Sequence, residues 1–225
     1  MLVSHAHRFI YLKTQKTAGT STEVYFQSAC MPPTALPQDW KAWHRTDSVV
    51  TAYGVVGARL GGAKEGFWNH MSARQVIDAV GPKVWASYLT FANVRNPWDK
   101  MVSHFFYDAR AAVLAARPPT PEVEDEIRAT FAAFIRKFRR PEVEALLLDP
   151  SYRLDAYIRY EHLRDDMLAV AQHCGLTLHD RPFPRLKTDA RPERYRDYRG
   201  LYGEAERRHV ADVYADWIAE FRYTF

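Results

Sequence analysis

The feature that most constrains this chain is a short apolar run that breaks abruptly into small polar residues. Phe9-Ile10-Tyr11-Leu12 is rich in strand formers and leads straight into Lys13-Thr14-Gln15-Lys16-Thr17-Ala18-Gly19-Thr20-Ser21-Thr22-Glu23. Val24, Tyr25 and Phe26 then supply an apolar face, and Thr20 with Glu23 has the spacing of a capping box, so strand, loop and helix are expected in that order. The pattern recurs. Tyr88 to Val94 reads as a second, buried strand, and Asn96-Pro97 offers an N-cap and a first-turn proline for a helix through about Ala116. Ala156 to Tyr160 is a third strand candidate, followed by a helix from about Arg164 to Cys174-Gly175. Strands separated by helices argue for an open parallel sheet with helices on both faces and ligands beyond the C-terminal strand ends.

The other segments give weaker signals. Between Met31 and Gly66 the chain collects Pro32, Pro33, Pro37, Gly54, Gly57, Gly61 and Gly62, so no long regular element is expected there, and loops of that length are often lids. Ser72 and Gln75 form a second capping-box pattern, which sets His70 just before a helix start. Thr120-Pro121 and the acidic residues after them start a helix whose apolar face runs through Ile127, Phe131, Phe134 and Ile135. Leu178 to Tyr202 holds seven arginines and lysines and reads as a basic surface loop, and a last helix spans about Gly203 to Ala219. His5 and His7 are read as part of a frayed terminus, since no further metal ligands cluster near them.

At 225 residues, 47% hydrophobic and 26% charged, the chain suits one folded domain over 1–225 and excludes disordered, collagen-like and coiled-coil classes. A net charge of +4 suits an anionic ligand but comes without the dense basic runs of a nucleic-acid binder, so no nucleic-acid partner is expected. Cys30 and Cys174 have neither disulfide-framework nor zinc spacing. No signal peptide and no run of about 18 apolar residues is found, so the expected location is cytoplasmic, with no transmembrane segment.

Two segments carry chemistry. A strand-to-helix loop of Lys, Thr, Gly and Ser points backbone N–H groups and a helix N-terminus at an anion, with lysine adding a mobile charge. The ATPase loop G-x-x-x-x-G-K-[ST] needs a first glycine and a Gly-Lys pair that are missing here. In the second segment Arg95 stands at a strand end, suited to gripping a phosphate bidentately, and Ser103 lies two turns into the following helix.

Together these segments resemble the sulfotransferases that use 3′-phosphoadenosine 5′-phosphosulfate, in particular the carbohydrate-type, 2-O-sulfotransferase and bacterial group. Gln15-Lys16-Thr17-Ala18-Gly19-Thr20-Ser21 is similar to their 5′-phosphosulfate loop, and Val94-Arg95-Asn96-Pro97-Trp98-Asp99-Lys100-Met101-Val102-Ser103 to their 3′-phosphate motif. Tyr157 to Leu163 and the closing Tyr195 to Phe225 look like later landmarks. The resemblance implies a P-loop-NTPase-like three-layer α/β fold, with a central, mainly parallel sheet flanked by helices. It also implies sulfuryl transfer to an acceptor hydroxyl on a carbohydrate or glycolipid, with 3′-phosphoadenosine 5′-phosphate as product and no metal. Lys16 is then the residue that stabilises the leaving phosphate. Thr17, Ala18, Gly19, Thr20 and Ser21 belong to the 5′-phosphate loop, Arg95 and Ser103 bind the 3′-phosphate, and Lys187 lies where the family closes over the nucleotide. His70, at a spacing similar to the catalytic histidine of the uronyl 2-O-sulfotransferases, is the candidate base. The competing readings are a P-loop-type nucleoside or small-molecule kinase using ATP and Mg²⁺, and a non-catalytic polyanion-binding module.

Overall fold

The computed structural model describes residues 1–32, 34, 47–59, 66–177, 183–184, 186 and 191–225. The chain divides into two compact units, Met1–Val94 with Glu142–Leu186, and Arg95–Pro141 with Lys187–Phe225. Six strands are present among the described residues: β1 (Leu2–Ser4), β2 (Phe9–Leu12), β3 (Val49–Thr51), β4 (Gly54–Val56), β5 (Leu89–Val94) and β6 (Ala156–Arg159). The helices, in chain order, are α1 (Gly19–Phe26), α2 (Ala73–Val80), α3 (Pro82–Ser87), α4 (Pro97–Phe105) and α5 (Ala109–Ala115). They continue with α6 (Pro121–Lys137), α7 (Glu142–Ala145), α8 (Leu163–His173), α9 (Glu204–Val213) and α10 (Ala215–Phe221).

The first unit is built on one mixed sheet in the order β3-β4-β1-β2-β5-β6. Its β2, β5 and β6 are parallel, with Leu12 opposite Ala92 and Val94 opposite Arg159. The expected mainly parallel sheet is corrected by the other half, in which β1 runs antiparallel to both β2 and β4, and β4 antiparallel to β3. Connection length decides this. His5 to Arg8 and Ala52-Tyr53 are far too short for a parallel crossover, which needs a dozen or more residues, so both links close as hairpins. At the second hairpin a Cβ on Gly54 would lie 2.1 Å from the Val3 carbonyl oxygen, so only glycine lets β4 approach β1. The frayed terminus is corrected too. Leu2, Val3 and Ser4 are fully buried in β1, while His5 Nδ1 lies 3.0 Å from the Tyr88 hydroxyl and His7 Nδ1 3.2 Å from the Cys174 carbonyl.

Phe9, Tyr11, Phe26 and Phe91 form the centre of this unit's core, with ring centroids 5.2 to 5.8 Å apart. Leu2, Val56, Ile158 and Met167 complete the cluster, so the strands that launch the polar loop are clamped by aromatic packing behind it. The capping box at α2 is present as expected, with Ser72 accepting from Gln75 N and the Gln75 side chain accepting from Ser72 N.

The second unit is helical, with Phe105 packed edge-on to Phe131 at 5.2 Å and Phe131 edge-on to Tyr202 at 4.9 Å. Thr120 caps α6, and of the expected face Ile127, Phe131 and Ile135 are buried while Phe134 is half-buried. The helix expected from Pro97 to Ala116 is instead two, because Asp108 accepts from Arg110 N and starts α5 as a fresh N-cap. The closing helix likewise divides at the fully buried Tyr214, whose hydroxyl accepts a 2.8 Å hydrogen bond from Lys100 Nζ. No helix among the described residues is long and apolar enough to cross a membrane.

Ser72→Ala removes the side-chain half of the capping box ahead of α2, and its expected cost is about 1 kcal/mol. Urea denaturation of the two proteins at one pH reads that loss directly.

Candidate functional site

The loop between β2 and α1 is strained in a defined way. Lys16 and Ala18 both have positive φ, 59° and 64°, while Thr17 between them does not, so the backbone alternates in hand along three residues. Such alternation turns successive N–H groups toward one side and makes an anion-binding concavity. The N-terminus of α1 opens from it. Ala18 is the N-cap and supplies no side-chain hydrogen bond, and first-turn N–H groups have no intrahelical acceptor. The expected Thr20–Glu23 capping box is therefore corrected. The helix begins one residue before Thr20, and Glu23 is turned inward to Lys13 Nζ at 2.5 Å and Arg59 Nε at 3.4 Å.

A buried polar network holds the loop in this shape. Asn93, fully buried on β5, accepts from the Tyr11 hydroxyl at 2.7 Å and donates to Thr22 Oγ1 at 2.9 Å. Its carbonyl accepts from Thr14 Oγ1 at 2.6 Å, and Thr17 Oγ1 lies 2.7 Å from Thr14 Oγ1. A hydroxyl has one proton, so with Thr14 donating to Asn93 it is Thr17 that donates to Thr14. The Thr17 side chain thus faces the interior, which leaves its backbone N–H as the group it offers an anion. Gly19 is needed here, since a Cβ would sit 2.9 Å from Lys13 Cγ and 3.1 Å from the Thr14 carbonyl. Lys16 and Thr20 are half-buried at the loop, and Ser21 is buried with its hydroxyl accepting from Leu186 N at 3.2 Å.

The fold brings His70 to this loop. His70, itself left-handed at φ 65°, has Nδ1 2.7 Å from the carbonyl oxygen of Lys13. A carbonyl only accepts, so Nδ1 carries the proton and Nε2 presents a lone pair. Burial, reinforced by the Lys13 ammonium, lowers the His70 pKa to about 4. The imidazole is neutral at physiological pH and held in the tautomer that a base requires.

In the second unit the Arg95 segment is tightly built. Asn96 caps α4 by accepting from Trp98 N and Asp99 N, and its Nδ2 donates to the Thr224 carbonyl at 2.8 Å. Trp98 Nε1 donates to the Arg207 carbonyl, and the fully buried Lys100 ammonium lies 5.1 Å from the Tyr214 ring centre. The Arg95 guanidinium is buried and held by Asp99 at 2.7 Å, while the other Asp99 oxygen takes Arg191 Nη1 at 2.5 Å. Ser103 is half-buried on α4. Lys187 lies outside the described residues. Among the described residues no group of His, Cys, Asp or Glu has the arrangement of a metal site.

Scans of protein-family models, of curated proteins and of solved structures return no match to this chain.

Three contributors were not anticipated from sequence. Arg191 reads there as one of many basic loop residues, and Asn93 as an ordinary strand position. Glu144, fully buried on α7, accepts from Gln15 N in the loop at 3.1 Å. Its signal was a charged residue amid Val143, Ala145, Leu146 and Leu147, where burial without a partner is costly.

Two outcomes follow from this arrangement. Glu23→Gln leaves Lys13 and Arg59 without their carboxylate in a buried setting, and the expected loss is about 3–5 kcal/mol, read by urea unfolding. His70 binds a proton more weakly folded than unfolded, so the unfolded state takes up more protons between the ordinary histidine pKa and about 4. Its contribution to stability is complete above that window and falls as pH is lowered through it. His70→Gln is expected to flatten the stability profile across the same window.

Proposed function

We propose that the protein is a sulfotransferase with a P-loop-like donor loop, taking 3′-phosphoadenosine 5′-phosphosulfate as donor and a saccharide or glycolipid hydroxyl as acceptor. The observation that carries the reading is the pairing of an uncapped, left-handed anion loop holding Lys16 with a histidine whose Nε2 lone pair is fixed by the Lys13 carbonyl. An anion loop alone suits many phosphate ligands. A neutral histidine locked as a base beside it suits transfer to a hydroxyl. The sequence resemblance supplies the donor class and the saccharide acceptor.

The donor set suits that ligand. Lys16, the N–H groups of the loop and the first turn of α1 match a phosphosulfate; the sequence resemblance assigns the 3′-phosphate to Arg95, whose guanidinium Asp99 orients within its own unit. When bound, the donor supplies a sulfuryl group on a good leaving group. His70 Nε2 takes the proton that the acceptor hydroxyl loses as its oxygen bonds to sulfur. Lys16 and the loop N–H groups meet the electron pair left on the departing phosphate oxygen, in a place already organised for negative charge. Thr17 and Asn93 act behind the loop, keeping its N–H groups aimed.

Calorimetric titration with 3′-phosphoadenosine 5′-phosphate, ADP and AMP in chelator tests the reading. The expected result is selective binding of the 3′-phosphorylated nucleotide that Arg95→Ala weakens about tenfold or more, a loss typical of a charge-assisted contact. Equal binding of all three, or binding that needs Mg²⁺, overturns it. Lys16→Ala is expected to abolish sulfuryl transfer while unfolding at the wild-type urea concentration.

A further inference from the structure

We infer that Glu144, on the short helix α7, is a positioning residue that sets the anion loop and His70 together. This rests on the proposed reading for what the loop and His70 do, and on the following geometry for how Glu144 acts on them.

The helix α7 spans only Glu142–Ala145, yet it reaches both segments that carry the chemistry. Glu142 Oε1 lies 2.7 Å from Arg74 Nη2 on α2, the helix whose cap Ser72 stands two residues after His70. Two residues on, Glu144 Oε1 accepts from Gln15 N, immediately before Lys16. Glu142 is an exposed partner, so its ion pair alone adds little. Glu144 is fully buried, and a carboxylate taken out of water persists only where hydrogen bonds and opposite charge compensate it. Here that compensation includes a backbone N–H at the point where the chain turns left-handed. Fixing Gln15 N inward fixes the Thr14–Gln15 peptide, one residue before Lys16, and so the point from which the left-handed turn departs.

The same carboxylate bears on His70, because the loop it anchors at Gln15 N is the loop whose Lys13 carbonyl, two residues earlier, accepts from His70 Nδ1 at 2.7 Å. The charged groups acting on that ring are the Lys13 ammonium and the Met1 amine, which oppose its protonation, and Glu144, which favours it. Glu144 therefore keeps Nε2 more basic than burial alone would leave it. It touches neither ligand nor acceptor; it acts through Gln15 and through the field at His70.

Two variants separate these effects. Glu144→Gln keeps an oxygen to accept from Gln15 N and removes the charge, whereas Glu144→Ala removes both. Inorganic pyrophosphate and 3′-phosphoadenosine 5′-phosphate are titrated calorimetrically into each, and His70 is followed by nitrogen-15 NMR through a pH titration. For Glu144→Gln the expected result is anion binding as tight as wild type or tighter, with His70 titrating at lower pH. For Glu144→Ala it is binding weaker by about tenfold, the equivalent of one hydrogen bond to a charged group. If Glu144→Ala does not fold, Glu144→Gln decides alone through the His70 titration. Binding and His70 titration unchanged in Glu144→Gln, or equal weakening in both variants with His70 unshifted, overturns the inference. A wild type that binds pyrophosphate with the expected dependence on Glu144 but shows no preference for the 3′-phosphorylated nucleotide overturns the sulfotransferase reading and leaves the role of Glu144 standing.

Discussion

Two ordinary side chains held left-handed within three residues require a support outside their own turn, and the buried network around Asn93 and Lys13 is that support. Each left-handed residue other than glycine costs about 1–2 kcal/mol, so a loop carrying Lys16 and Ala18 in that form relaxes unless its surroundings over-determine it. One hydrogen bond nets only about 1 kcal/mol, but leaving a buried partner unsatisfied costs about 1–3 kcal/mol. The restraint therefore lies in what relaxation would orphan. Straightening the loop would strip partners from Thr14, Thr17 and the Asn93 carbonyl together, and would draw Lys13 away from Glu23. Because the Lys13 carbonyl also fixes the His70 tautomer, loop conformation and the state of that imidazole are one condition.

The parallel half of the sheet and the polar loop were legible in sequence because they rest on local signals. Phe9 to Leu12, the run ending at Val94 and the Ser72–Gln75 cap are each readable within a few residues, and each forms as expected. The antiparallel half was not. Leu2–Ser4, Val49–Thr51 and Gly54–Val56 are three residues each, too short to show a period, and exist as strands through pairing with neighbours distant in sequence. Helix breaks at Asp108 and Tyr214 were hidden for the opposite reason, since both flanks have helical composition and the division comes from a competing cap and a buried hydroxyl. Among the candidate residues, Lys16, Arg95 and His70 stand in recognisable patterns. Glu144, Asn93 and Arg191 act through tertiary contacts that no local spacing encodes, and Glu23 was misassigned because a capping pattern cannot show that its carboxylate faces inward to Lys13.

One arrangement of charge, a carboxylate between two cations, recurs in each unit. A lysine or arginine on a loop is charged but poorly aimed, since fixing its many rotamers costs conformational entropy. In one unit Glu23 sits between Lys13 and Arg59; in the other Asp99 sits between Arg95 and Arg191. Each carboxylate thus faces two cations, so the cluster is ordered during folding and still carries an excess of positive charge. A one-to-one pair would be ordered but neutral, and an isolated cation would be charged but mobile. Arg95 is the sharper case, because its planar fork is oriented by Asp99 and its charge is shared with Arg191 across the same carboxylate. Asp99, in the segment after Arg95, is thus the residue that holds the Arg95 guanidinium in one orientation. Replacing it by a neutral residue would raise the local positive charge and remove the ion pair that orients Arg95, while Arg191 keeps its hydrogen bonds to the Tyr195 and Arg196 carbonyls.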